Sequence, residues 1–165
     1  MKKYKFIALG SLALLGLFTL SACTSKQPAP VEQSQYMDRP ASDGKYYYNN
    51  ELYAFAVVLP AEFEYYQTQR REYTDYADIE FYVPTNDRDF YQEVSGYGKI
   101  MTVRMYNKEF WEKIKNDEDF SMYQEVAQKD NYIYTISFWP SEPSDWRDKL
   151  NDELKQEIVQ SFSLK

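Results

Sequence analysis

The sequence predicts a single α+β domain, mainly antiparallel sheet packed by helices. Short segments in which apolar and polar residues alternate with period two carry the strand part of that reading, most clearly Asp78 to Val83. Two segments with apolar residues at helical spacing, one after Asn107 and one near the end of the chain, supply the helices. A turn signal at Lys129-Asp130-Asn131 between two strand-like runs adds a hairpin, which joins antiparallel neighbours.

Before the domain comes an address. Met1-Lys2-Lys3-Tyr4-Lys5 is basic, Phe6 to Leu20 is apolar, and Ser21-Ala22-Cys23 follows, which is the three-part plan of a secretory signal over residues 1–22. The apolar run of about 15 residues is roughly 22 Å long as a helix, short of a hydrocarbon core of roughly 30 Å, so it reads as a leader and not as a span. Leu20-Ser21-Ala22-Cys23 resembles the bacterial lipobox, which implies cleavage before Cys23, transfer of a diacylglyceryl group to its thiol, and attachment through palmitate-type acyl chains. Cys23 is the one cysteine of the chain, so the domain is built without an internal disulfide and depends on packing. The expected location is the extracytoplasmic face of a cell membrane, plasma or outer, with the membrane itself as the first partner.

Residues 24–44 read TSKQPAPVEQSQYMDRPASDG, poor in apolar side chains and rich in Gln, Ser and Pro, and residues 23–44 are therefore expected to be the lipidated cysteine and a flexible tether. A coil of roughly 21 residues spans about 25 Å. From Lys45 the composition turns aromatic, and the globular domain is expected over 45–165.

Within it, Ala54 to Leu59 places Phe55, Val57 and Leu59 on one strand face, ended by Pro60. Glu64 to Arg70 is a second strand, with Tyr66, Thr68 and Arg70 alternating against Tyr65, Gln67 and Gln69. Asp78 to Val83 sets Ile79, Phe81 and Val83 against Asp78, Glu80 and Tyr82, the pattern of a half-buried strand. A short helical turn is expected around Phe90 to Glu93. Lys99 to Tyr106 groups Met101, Val103 and Met105 on one face. Asn107 caps a helix running to about Asn116, whose Phe110, Trp111 and Ile114 should sit on the sheet. Met122 to Gln128 and Tyr132 to Trp139 form the hairpin, its second strand expected to be central. Pro143-Ser144-Asp145 starts a closing helix with Trp146, Leu150, Leu154 and Ile158 every four residues, followed by Val159, Ser161 and Phe162.

This element order, with Leu59-Pro60 at one end and Ile158-Val159-Gln160-Ser161-Phe162 at the other, resembles the PsbP-like group over Tyr46 to Lys165. The resemblance implies an α/β/α sandwich on an antiparallel sheet and the company of accessory proteins of membrane complexes and unassigned lipoproteins. It transfers no functional residue.

Charge and composition exclude several functions. Three of the 19 basic side chains lie in the leader, so the remainder carries 16 basic against 26 acidic groups, a formal net charge of −10, which repels nucleic acid and anionic headgroups. The chain has no histidine, which removes imidazole acid/base catalysis, Ser-His-Asp and Cys-His nucleophiles and imidazole metal ligation; no cofactor or metal site is expected. Asn116-Asp117-Glu118-Asp119 suggests calcium, but an EF-hand counted from Asp117 needs Gly where Met122 stands and Glu where Gln128 stands. The loop around Asp87 and Asp89 fits no better.

The 17 tyrosines exceed what a core of this size needs, so some should lie outside and form a surface for glycan rings or a protein partner; Tyr66 and Tyr82 are the candidates by strand alternation. With no catalytic residue assigned, the expected function is a non-catalytic interaction or accessory module of the cell envelope with a protein or cell-wall glycan partner. The alternatives are a small carboxylate-dependent cell-wall glycan hydrolase, which needs two facing acids in a concave pocket, and a solute- or glycan-binding domain with an aromatic cleft.

Overall fold

Strict alternation in Phe55-Ala56-Val57-Val58-Leu59 and in Tyr76 to Pro84 builds two antiparallel sheets that face one another across a shared apolar core. The computed structural model describes residues 40–91 and 93–165, and the backbone of Val31–Ser34. The leader at 1–22 and Cys23 lie outside the described residues.

The strands are β1 (Val31–Ser34), β2 (Tyr46–Asn50), β3 (Phe55–Leu59), β4 (Gln67–Glu72), β5 (Tyr76–Pro84), β6 (Tyr97–Asn107), β7 (Gln124–Lys129), β8 (Tyr132–Phe138) and β9 (Ser163–Leu164). The helices are α1 (Lys108–Ile114) and α2 (Asp152–Ser161). The large sheet has the order β1-β4-β5-β6-β8-β7 and the small one β2-β3-β9, with every pairing antiparallel. The domain is thus of α+β type and mostly sheet, as the alternation predicts.

Register explains the two faces of the large sheet. Thr68 and Met101 both lie opposite Phe81, and Val103 lies opposite both Ile79 and Ile136, so these side chains share the core face. Aromatic contacts join the sheets across it: Tyr48 meets Phe81 edge-on at 5.0 Å between centroids, and Phe55 reaches Tyr134 at 6.2 Å. Helix α2 closes the small sheet. Phe162 at its end stacks on Phe55 at 5.4 Å, and Ser161 Oγ accepts a hydrogen bond from the Val58 amide at 2.9 Å. On the opposite face of the large sheet α1 lays Trp111 against Tyr106 and Ile133 in a separate, smaller cluster.

Asn107 caps α1 as expected, its side chain accepting from the Glu109 amide at 2.9 Å. Three other expectations change. The closing helix begins at Asp152, not at Asp145, because Asn151 in extended conformation caps it by accepting from the Leu154 amide. Trp146 and Leu150 belong to turns before it and are still buried, so the four-residue apolar spacing reports burial while the backbone is broken. Strand β8 is the penultimate strand; β5 and β6 occupy the centre. Within the stretch expected to be a coiled tether, Val31–Ser34 forms an edge strand on β4.

Strand β5 differs most from the half-buried expectation: every residue from Ala77 to Val83 is buried, on both faces. Phe81 at its middle is fully enclosed and touches strands of both sheets, so Phe81→Ala should cost about 3–5 kcal/mol in urea unfolding, whereas Leu52→Ala at an exposed turn should stay within about 0.5 kcal/mol. A loss below about 1 kcal/mol for Phe81→Ala would contradict the shared core.

Candidate functional site

The second face of β5 carries Asp78, Glu80 and Tyr82, and burial of two carboxylates demands cations beside them. The neighbouring strands supply these. Arg104 stands directly across from Asp78 and binds it with two hydrogen bonds, Nε to Oδ1 at 2.6 Å and Nη2 to Oδ2 at 2.8 Å. Its guanidinium lies 4.0 Å from the Tyr76 ring and 4.6 Å from the Tyr123 ring. Burial pushes the Asp78 carboxyl above its ordinary value in spite of Arg104.

Glu80 receives Arg71 Nε at 2.7 Å and Lys99 Nζ at 2.9 Å. The Tyr82 hydroxyl lies 2.8 Å from Glu80 and also against Glu93, which itself contacts Arg71. Burial, then the Glu93 contact, pushes the Tyr82 hydroxyl well above its ordinary value. Burial alone would raise the Glu93 carboxyl, yet the Tyr82 hydrogen bond with Lys99 and Arg71 holds it below the ordinary 4.5. Each of these three carboxylates has a cation as partner, so the face forms a cross-linked polar layer. Beside it is a hollow of about 250 Å³ bounded by Tyr82, Glu93, Lys99 and Trp139, with the Lys99 ammonium 4.5 Å from the Trp139 ring.

A larger cleft of about 500 Å³ opens where three turns meet at one end of the sheets. The β2–β3 turn contributes Leu52, Tyr53 and Ala54; the β4–β5 connection contributes Tyr73, Thr74 and Asp75, flanked by Glu72 and Tyr76; the β7–β8 hairpin contributes Lys129, Asp130 and Tyr132. Tyr73 is 43% exposed, Tyr132 41% and Leu52 60%. Tyr73 stacks on Tyr76 at 4.5 Å, and Tyr53 meets Tyr132 edge-on at 6.2 Å. The Tyr53 hydroxyl donates to Glu72 at 3.3 Å, and burial followed by the Glu72 charge pushes its pKa up to about 12. Ala54 and Asp130 both hold positive φ, 50° and 54°; in the β7–β8 hairpin that is an ordinary conformation for Asp, whereas for Ala54 it is costly and is held by the surroundings of the β2–β3 turn.

The structure does not place Tyr66 and Tyr82 on the surface: both are buried. Tyr66 lies on the core face, 6.0 Å from the ring of Tyr46 and 6.1 Å from that of Phe81, because it stands two residues before Thr68, which the register sets opposite Phe81 on that face. Tyr82 does face away from the apolar core, but Glu80 and Glu93 cover it. Exposed tyrosines are found elsewhere: Tyr47 on the outer face of β2, Tyr65 just before β4, and Tyr73 and Tyr132 beside turns, the last two at positions that period-two alternation cannot rank. The signal for them is the coincidence of Tyr73 and Tyr76 around Thr74-Asp75 and of Tyr132 after Asp130-Asn131, aromatic residues bracketing turn formers.

Asp117 uses its carboxylate to cap the short 3-10 turn Glu118–Phe120, accepting from the Asp119 amide at 3.1 Å, and Asp87 does the same for Arg88–Phe90. Among the described residues no group of three or more His, Cys, Asp or Glu is arranged to hold a metal ion, and no helix is long and apolar enough to cross a membrane. No family model matches the chain, and neither a curated protein nor a solved structure matches it.

Two outcomes check the polar layer. Asp78→Asn leaves the Arg104 guanidinium buried without its counter-charge and should cost about 3–5 kcal/mol in chemical unfolding, while Asp78→Leu combined with Arg104→Met should recover most of that loss; equal losses in both would contradict the ion-pair account. Glu142 is also held below its ordinary value: burial opposes, and the Lys155 ammonium at 2.7 Å prevails. A depressed carboxyl stabilises the fold above its unfolded value and stops doing so as pH falls through the folded value. The melting temperature of wild type should therefore fall on acidification below about 4.5, and Glu142→Gln, less stable at pH 7, should lose less over that interval.

Proposed function

We propose that this protein is a lipid-anchored interaction module of the cell envelope, exported by residues 1–22, held to the membrane through Cys23, and engaging a protein partner through the tyrosine cleft. The observation that carries the binding assignment is the convergence of exposed Tyr73, Tyr132 and Leu52 around one concavity at the turn end of the sheets. Large amphipathic rings with few rotatable bonds dominate binding energy at protein interfaces, and a strained, cross-packed turn cluster presents them with little entropy left to lose. Two or three acyl chains on Cys23, at about 0.8 kcal/mol per buried CH₂, suffice for stable attachment. The resemblance to PsbP-like accessory proteins supports a module that acts beside another complex.

A catalytic role for paired acids is less favoured by this geometry. Asp78 and Glu80 are buried in ion pairs with Arg104, Arg71 and Lys99, and Glu93, the one of the three that borders the hollow, is itself engaged by Arg71 and Lys99.

Crosslinking in cells followed by capture of the tagged protein tests the reading. One envelope protein should be recovered with wild type, and its yield should fall several-fold with Cys23→Ala and again with Tyr73→Ala plus Tyr132→Ala, compared below the melting temperature of each variant because both rings also pack on neighbouring tyrosines. Labelled palmitate should enter wild type and not Cys23→Ala. Recovery that ignores the two tyrosines would overturn the cleft as the binding surface; palmitate in Cys23→Ala would overturn the anchor.

A further inference from the structure

We propose that the occupant of the tyrosine cleft is a cationic side chain, lysine or arginine, presented by the protein partner; this rests on the reading of the cleft as the binding surface and names what it recognises. Tyrosine faces alone do not choose between a sugar ring, an apolar side chain and a cation, since all three stack on an aromatic ring. The charge around the rings decides. Glu72, Asp75 and Asp130 border the cleft and all three are exposed; Glu72 is shared with Arg70, whose Nε lies 3.5 Å from it, so Asp75 and Asp130 carry most of the attraction. The single cation among the lining residues, Lys129, is directed to the main-chain carbonyl of Lys165. A cleft with electron-rich ring faces and an excess of carboxylates attracts a cation by both terms at once, by quadrupole at short range and by Coulomb attraction at longer range.

The same molecule already holds a cation in this way. Arg104 lies against the Tyr76 and Tyr123 rings with Asp78 as its carboxylate, and Tyr76 also lines the cleft and stacks on Tyr73. The open site repeats that combination at the surface, with Tyr73 and Tyr132 for rings and Asp75 and Asp130, beside the Arg70-paired Glu72, for the counter-charge. The formal charge of −7 for the chain as a whole favours encounter with a basic partner over an acidic one. A polysaccharide without charge would gain the stacking and nothing from the carboxylates.

The test uses the full chain in zwitterionic nanodiscs, labelled with 3-fluorotyrosine and followed by fluorine NMR, with acetylated tripeptide amides carrying a central arginine, lysine, glutamine or norleucine, and with chitotetraose. The arginine and lysine peptides should shift the Tyr73 and Tyr132 signals saturably, with the glutamine and norleucine peptides about tenfold weaker. Glu72→Gln, Asp75→Asn and Asp130→Asn together should reduce cation binding by about tenfold while the signals of core tyrosines such as Tyr46 and Tyr48 stay in place, and salt of about 1 M should weaken it in wild type. Equal binding of the neutral peptides, or binding of chitotetraose alone, would overturn the cation assignment and leave the cleft as a binding surface. No shift at Tyr73 or Tyr132 with any probe would overturn both.

Discussion

The central constraint on this fold is the burial of Asp78 and Glu80 on the middle strand. A strand with Ala77, Ile79, Phe81 and Val83 on one face must turn that face to the core, and pleating then commits Asp78, Glu80 and Tyr82 to the other. Once α1 and the flanking loops exclude water from that second face, the carboxylates need compensating charges at fixed positions. Arg104 on one neighbouring strand, Arg71 on the other, and Lys99 provide them. A slip of one residue in the β5–β6 pairing would set Asp78 against Val103 or Met105, so the Asp78–Arg104 pair discriminates between registers there even though its net contribution to stability is small.

This arrangement separates two jobs. The polar layer on the second face is closed on itself, with carboxylates, cations and hydroxyl groups as mutual partners. The turn end of the sheets is open, with Ala54 held at positive φ, and it is lined both by rings that pack on the core, such as Tyr134 and Tyr53, and by the exposed Tyr73 and Tyr132. Rigidity in the middle supports presentation at the end: Tyr76 is at once the first residue of β5, a wall of the cleft and a ring against the Arg104 guanidinium. The wall of the cleft is thereby in direct contact, through Tyr76, with the pair at the centre of the sheet.

Much of the fold was legible because strand period and caps are local properties. The β5 alternation, the hairpin across Asp130-Asn131 and the Asn107 cap all follow from residues within a few positions of each other. The position of β8 within the sheet was not legible, since strand order depends on pairings between distant segments. The late start of α2 was hidden because Trp146 and Leu150 keep helical spacing while sitting in turns, and an apolar pattern records which side chains are buried, not which backbone carries them. The residues of the tyrosine cleft were hidden for a related reason. Alternation identifies which face of a strand a residue is on, so it put Tyr82 on the face away from the apolar core, but it cannot say that Glu80 and Glu93 would cover that face. Nor can it rank Tyr73 and Tyr132, which stand where three separate turns come together.

The most direct measurement for the division between a closed polar layer and an open tyrosine cleft is site-specific photocrosslinking in living cells, with benzoylphenylalanine placed in turn at Tyr73, Tyr132, Tyr47 and Trp139, four exposed aromatic positions on different parts of the domain. The account predicts a discrete crosslinked product from positions 73 and 132 and none from 47 or 139. Crosslinks confined to Trp139, beside the Lys99 and Glu93 hollow, or to Tyr47 would contradict it.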